Sequence, residues 1–141
     1  MTDMRAARRR IIVGISGASG AVLGLEVLRL LHQARTIETH LVISKAAERT
    51  LTMEVDGDAA ERARSLAHTA YQIDDIGSAI ASGSFRADAM IVAPCSMRTL
   101  SAIAYGISDN LLTRSADVVL KERRRLVLLA RETPLHTGHI E

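Results

Sequence analysis

The chain of 141 residues has one cysteine, two prolines, no tryptophan, one phenylalanine and two tyrosines. A lone cysteine excludes an internal disulfide and fits a reducing cytosol. With so few aromatics, Val, Ile, Leu and Ala must fill the core, and a 48% hydrophobic content is enough to form one. No run approaches the ~18 apolar residues of a membrane span. The positively charged Met1–Arg10 is followed by an apolar run, Ile11–Ile15, that is too short and too glycine-interrupted for a signal peptide. No charge of one sign dominates: 18 basic against 16 acidic residues leave a net +2. The basic run Arg5–Arg10 has no aromatics interleaved, which argues against a nucleic-acid arm, and the run Lys121–Arg125 sits between a helix and a strand. His32, His40, His68, His136 and His139 have no metal-ligand spacing, and no metal is expected. Residues 1–10 therefore read as a solvated basic tail and 11–141 as one domain.

What is present is an alternation. Ile11–Ile15, Glu38–Ile43, Ala89–Ala93 and Leu126–Ala130 are short, continuous apolar runs, as buried parallel strands are. Between them Ala21–Gln33 carries Leu23, Val27, Leu30 and Leu31 at helical spacing, and Lys45–Met53, Ala59–Ala70, Ser96–Ala104 and Asn110–Glu122 read as further helices. Asp74–Ala81 reads as a short helix or turn, and Pro94 is expected to stop the third strand. Strand alternating with helix predicts a parallel sheet with helices on both faces. Ligands of such sheets bind outside the carboxyl ends of the strands. Here those ends hold Ser16–Gly20, Ser44-Lys45, Pro94–Thr99 and Arg131–Pro134, all small, polar or cationic.

Ser96 is an N-cap candidate, and with Arg98 and Thr99 it places a cation and two hydroxyls at a helix start, a metal-free way to hold a phosphate. Capping alone explains Ser96 but not its companions. Gly17-Ala18-Ser19-Gly20 is not the G-x-G-x-x-G fingerprint, and it reads equally as a tight turn or as a phosphate-facing loop. The nucleophile-elbow pattern is met at neither Ser16 nor Ser19. Cys95, with no histidine nearby, reads as a small hydrophobe. Arg131 and Glu132 follow a buried strand, where a cation suits a phosphate and an acid suits proton transfer; the plain alternative is a surface ion pair. Glu54 alone reads as a solvated helix end, and Asp74-Asp75 as a turn or cap.

Five ordered segments together carry a resemblance: Gly14–Gly20, Ile43–Ala47, Pro94–Ser101, Ala116–Arg123 and Arg131–Leu135. They are similar to the UbiX-type flavin prenyltransferases, and the similarity runs from Arg10 to Glu141. The resemblance implies a three-layer, flavodoxin-like (Rossmann-like) fold binding FMN at a subunit interface, usually within a dodecamer. It implies transfer of a dimethylallyl group from dimethylallyl monophosphate to N5 and C6 of reduced FMN, without a metal. The product then serves a UbiD-type decarboxylase. Carried over by motif, FMN contacts fall on Gly17, Ala18, Ser19, Ser44, Ser96, Met97, Arg98, Thr99 and Arg131. Ser19, Lys121 and Arg131 hold the donor phosphate, with Arg114 reaching in from a neighbouring subunit. Glu132 assists phosphate departure and proton transfer, and Glu54 sits near the reacting flavin edge. Family chains continue past Glu141 with a further helix, strand and proline-rich segment. That segment carries a tyrosine and a basic residue of the phosphate site, so this chain is expected to lack them and to expose apolar surface. A non-catalytic FMN-binding subunit is the alternative. An FMN-dependent cysteine decarboxylase is disfavoured by Ser96–Thr99, Lys121 and Arg131-Glu132.

Overall fold

A computed structural model describes residues 8–132 and 135–140. Most of the basic tail, together with Thr133, Pro134 and Glu141, lies outside the described residues. The strands are β1 (Arg9–Ile15), β2 (Ile37–Ile43), β3 (Thr69–Tyr71), β4 (Ala89–Cys95) and β5 (Arg125–Ala130). The helices are α1 (Ala21–Gln33), α2 (Lys45–Glu54), α3 (Ala59–Leu66), α4 (Met97–Ala104), α5 (Leu111–Lys121) and the single turn α6 (Thr137–Ile140). All strand pairs are parallel, in the order β3-β2-β1-β4-β5. The expected three-layer α/β sandwich is thus observed. Because β2 lies on one side of β1 and β4 on the other, the strand order reverses between β1 and β4, and a crevice opens at their carboxyl ends.

The two faces have separate cores. Val13, Ile15, Leu41 and Ile43 pack with Ala21 and Leu28 of α1, Leu51 of α2 and Ala63 of α3. Ile12, Val42, Met90 and Val92 pack on the other face with Ile103 of α4 and Leu111, Leu112 and Val119 of α5. This is the period-two alternation of strands buried on both sides. Small residues allow close approach at the crevice. A Cβ on Gly24 would come within 2.6 Å of the Ala93 carbonyl, so glycine there lets α1 lie against the β1–β4 junction.

Two sequence expectations are corrected. The helix expected over Ala59–Ala70 ends at Leu66, and Thr69–Tyr71 instead forms a fifth strand beside β2. Its three residues are too few and too exposed to show an alternation. Pro94 does not stop the third strand: β4 runs to Cys95 through a cis Ala93–Pro94 bond, with its register against β5 shifted between Val92 and Cys95. Proline is tolerated where the ladder is already irregular.

Candidate functional site

The crevice is held together by a buried serine. The Ser16 hydroxyl, at the end of β1, donates to the Pro94 carbonyl at 2.7 Å and accepts the Ser96 amide at 2.8 Å. The Ser16 amide also donates to the Pro94 carbonyl. One side chain therefore fixes the start of the glycine turn against the start of α4.

Two helix N-termini face one another across it. Ser44 caps α2 by accepting the Ala47 amide at 3.0 Å, and Ser96 caps α4 by accepting the Thr99 amide at 3.2 Å. Glu48 and Leu100 donate their amides to the carbonyls of the same two serines. The first-turn amides of Lys45, Ala46, Met97 and Arg98 remain for a ligand. A cleft of about 510 Å³ lies between them, lined by Ser44, Lys45, Arg49, Ser96, Arg98 and Thr99, among others. A Cβ at Gly17 would overlap the Ala46 methyl, so only glycine lets the β1 turn border this cleft. Two positive helix ends and three cationic side chains give it the chemistry that suits an anion such as phosphate.

A second cleft of about 420 Å³ shares Gly17 and Ser96 with the first and is lined by Ala18, Ser19, Arg131 and Glu132. Arg131 is held at the rim by its amide, which donates to the Cys95 carbonyl at 3.1 Å. Glu54, read from sequence alone as a solvated helix end, instead reaches across from the end of α2 to cap α1. Its carboxylate accepts the Gly20 and Ala21 amides, each at 3.0 Å, and the Ser19 hydroxyl at 2.9 Å. The Ala21 amide, the Ser19 hydroxyl and the Gly20 amide hold the Glu54 carboxyl below its ordinary value of 4.5, and Arg131 adds to the pull. The α1 N-terminus is therefore already occupied by the Glu54 carboxylate, whereas the starts of α2 and α4 are capped by the neutral Ser44 and Ser96.

Cys95 is fully buried and its thiol is pushed up to about 11 by desolvation, so it packs as a small hydrophobe. Arg98 lines the phosphate cleft, but its guanidinium pairs with Asp109 at 2.5 Å; Asp109, also bonded by Thr113, is held below the ordinary carboxylate range chiefly by Arg98. Met97 is half-buried at the first turn of α4. Two residues are not brought to the clefts. Arg114, in the first turn of α5, donates to the Ala81 carbonyl at 3.4 Å. Lys121 ends α5, at the amino edge of the sheet. It is separated from Arg131 by the length of β5, about 20 Å. Sequence reasoning missed Arg49, Thr50, Asn110 and Asp109. Arg49 lies one turn after Lys45, a spacing that puts both on one face of α2. Thr50 donates to the Gly17 carbonyl at 3.2 Å, a contact with no local signal.

A parallel sheet whose strand order reverses over two serine-capped helix starts has the architecture of nucleotide-type cofactor proteins. Residues 2–139 match the protein-family model for Flavoprotein. The chain is 56% identical over 133 residues to the flavin prenyltransferase UbiX of Neisseria meningitidis, covering 94% of this chain and 69% of that one. It superposes with a TM-score of 0.88 on AnUbiX in complex with FMN and dimethylallyl pyrophosphate, at 54% identity, covering 94% of this chain and 70% of that one. It superposes with a TM-score of 0.89 on a dodecameric FMN-dependent UbiX-like decarboxylase from Escherichia coli, at 47% identity, covering 93% of this chain and 70% of that one. The chain belongs to the flavoprotein family and, within it, to the UbiX-type flavin prenyltransferases.

Proposed function

We propose that this chain binds FMN across the two clefts and transfers a dimethylallyl group to it from dimethylallyl monophosphate. The observation that carries this reading is the phosphate cleft between the starts of α2 and α4, opening directly beside the cleft of Ser19, Arg131 and Glu132. The groups present fit FMN: the Ser44, Ser96 and Thr99 hydroxyls, the Met97 and Arg98 amides and the cations of Lys45, Arg49 and Arg98 would hold its phosphate. Gly17, Ala18, Ser19 and Arg131, which line the second cleft, would hold the ring system. When bound and reduced, FMN supplies the nucleophilic N5 and C6 positions.

The protein's share of the chemistry is positional and electrostatic. Arg131 faces the donor phosphate and neutralises the charge that builds on it as it leaves. Glu132, at the same rim, passes a proton to that phosphate and accepts the proton released from the flavin. Glu54, ionised and fixed on three donors, holds Ser19 and sets a negative charge beside the reacting edge, where it steadies an allylic cation. Lys121 stands at the opposite edge of its own sheet, so it and Arg114 reach a donor phosphate only from neighbouring copies. This makes the working enzyme a homo-oligomer, a dodecamer by likeness to the Escherichia coli relative. The product is handed to a UbiD-type decarboxylase. Among the described residues no helix is long and apolar enough to cross a membrane, and we place the protein in the cytoplasm.

The test is incubation with reduced FMN and dimethylallyl monophosphate, then mass analysis of the extracted flavin. A flavin heavier by one C5 unit supports the reading. Recovery of unmodified FMN overturns transfer by this chain and leaves a flavin-binding subunit.

A further inference from the structure

The amino edge of the sheet, remote from both clefts, carries a concavity of its own. It measures about 1160 Å³ and is lined by Arg9, Arg86, Arg123, Arg124 and Arg125, with Asp88 and Glu122 as its acids. The arginines arrive from separate places: the start of β1, the loop before β4, the turn after α5 and the start of β5. Arg124 is a strut, donating to the Phe85 carbonyl at 2.7 Å and the Gly83 carbonyl at 3.1 Å. One Asp88 oxygen is taken by the Arg10 amide at 2.8 Å. Arg9, Arg86, Arg123 and Arg125 are exposed, and among the described residues none of the four forms an ion pair.

The backbone at Arg123 gives a second, independent reason to look here. The turn after α5 closes as a Schellman motif: the Arg123 amide donates to Leu120 at 3.0 Å and the Arg124 amide to Val119 at 2.8 Å. Arg123 occupies the left-handed position of that motif, with φ +56°, where glycine fits without steric cost. It is the one non-glycine residue with positive φ among those described. Glycine would take this conformation at lower cost, so the arginine is kept here against a backbone preference.

We propose that the amino-edge concavity binds a small molecule carrying two or more phosphate groups, with Arg123 among its direct ligands. Guanidinium forks match phosphate oxygens two at a time, and several converging on one concavity suit clustered charges better than a single one. The concave shape favours a small molecule over a flat protein surface. Stacked nucleic acid bases find no platform: the nearby Phe85 ring is already covered by the Arg10 guanidinium, 4.9 Å from its centroid. None of the residues lining this concavity is among those assigned above to the flavin chemistry.

The test is a calorimetric titration of the full chain and its Arg123→Gly variant with inorganic pyrophosphate, in buffer of physiological ionic strength. The difference between the two proteins is the readout, so pyrophosphate held at the carboxyl edge cancels. Arg123→Gly should weaken pyrophosphate binding by about tenfold, with a thermal midpoint equal to or above that of the parent. Equal affinity in both proteins overturns the proposal, as does the absence of saturable binding to the parent. A lowered thermal midpoint in Arg123→Gly overturns it by giving the side chain a structural role. Inorganic monophosphate binding as tightly as pyrophosphate overturns the multiple-phosphate assignment. Tighter binding of a hexaglutamate peptide or a single-stranded oligonucleotide overturns the small-molecule assignment.

Discussion

Both edges of this sheet are cationic, yet they are built in opposite ways. At the carboxyl edge most polar groups are already committed. Ser16 joins two loops, Ser44 and Ser96 cap helices, Glu54 caps a third helix, and Arg98 leans on Asp109. At the amino edge Arg124 is anchored on two carbonyls, while the four arginines around it have no ion-pair partner among the described residues. A site that must hold a flavin to within a fraction of an ångström needs its donors fixed before the ligand arrives. Loose guanidiniums suit a ligand recognised mainly by its charge. The comparison separates geometric from electrostatic recognition in a single domain.

The strongest way to break the carboxyl edge is Gly17→Val. The added side chain collides with Ala46 at the start of α2, on the border of the cleft. The expected result is loss of bound FMN and an overpacking penalty of about 1–3 kcal/mol, read by flavin absorbance after desalting and by denaturant unfolding. Ser16→Ala should rank next. It leaves the part-buried Ser96 amide without its partner, at a cost of about 1 kcal/mol. FMN affinity should fall with it, and Ser16→Thr should restore part of both.

Glu54→Gln keeps the shape but removes the charge that caps α1. Thermal stability at neutral pH should fall by about a few degrees, and the prenyl-transfer rate should fall without matching loss of FMN binding. The sign with pH follows from the depressed carboxyl. The stabilisation is complete above the ordinary value of 4.5 and is lost as pH drops through the lower folded-state value. Parent and Glu54→Gln should therefore converge in thermal midpoint at acid pH and separate toward neutrality; parallel curves would remove the charge argument. The smallest effect is expected of Asp109→Asn, which releases the exposed Arg98. FMN affinity should change by less than about threefold, with a stronger dependence on salt. A change as large as that of Ser16→Ala would mean the carboxyl edge relies on charge after all, and would erase the contrast between the edges.

Much of the carboxyl edge was legible before the fold was known, because its residues sit where apolar runs stop. Ser16, Ser44 and Ser96 each follow a buried strand, and Arg131 follows β5, whose apolar run reads as buried but which is an edge strand with Val127 and Leu129 exposed; parallel topology brings all four ends to one edge. The contact of Glu54 with Ser19, Gly20 and Ala21 was not legible in the same way. It spans more than thirty residues and depends on α2 ending beside the start of α1. β3 escaped because three residues give no periodicity. The extension of β4 through Pro94 escaped because the residues that accommodate it, Ser16 among them, lie almost eighty positions away.

Local patterning along the chain, then, was enough for the layered class, the strand ends that line the two clefts and the inert character of Cys95, because burial periodicity and caps are written in neighbouring residues. Packing across the sheet settled the rest. It put Lys121 at the edge opposite Arg131 and gave the α1 N-terminus to Glu54. It also gathered Arg9, Arg86, Arg123 and Arg125 around one concavity. Each of these depends on which helix end falls beside which strand end, and that is fixed by the order of the strands rather than by any residue's near neighbours.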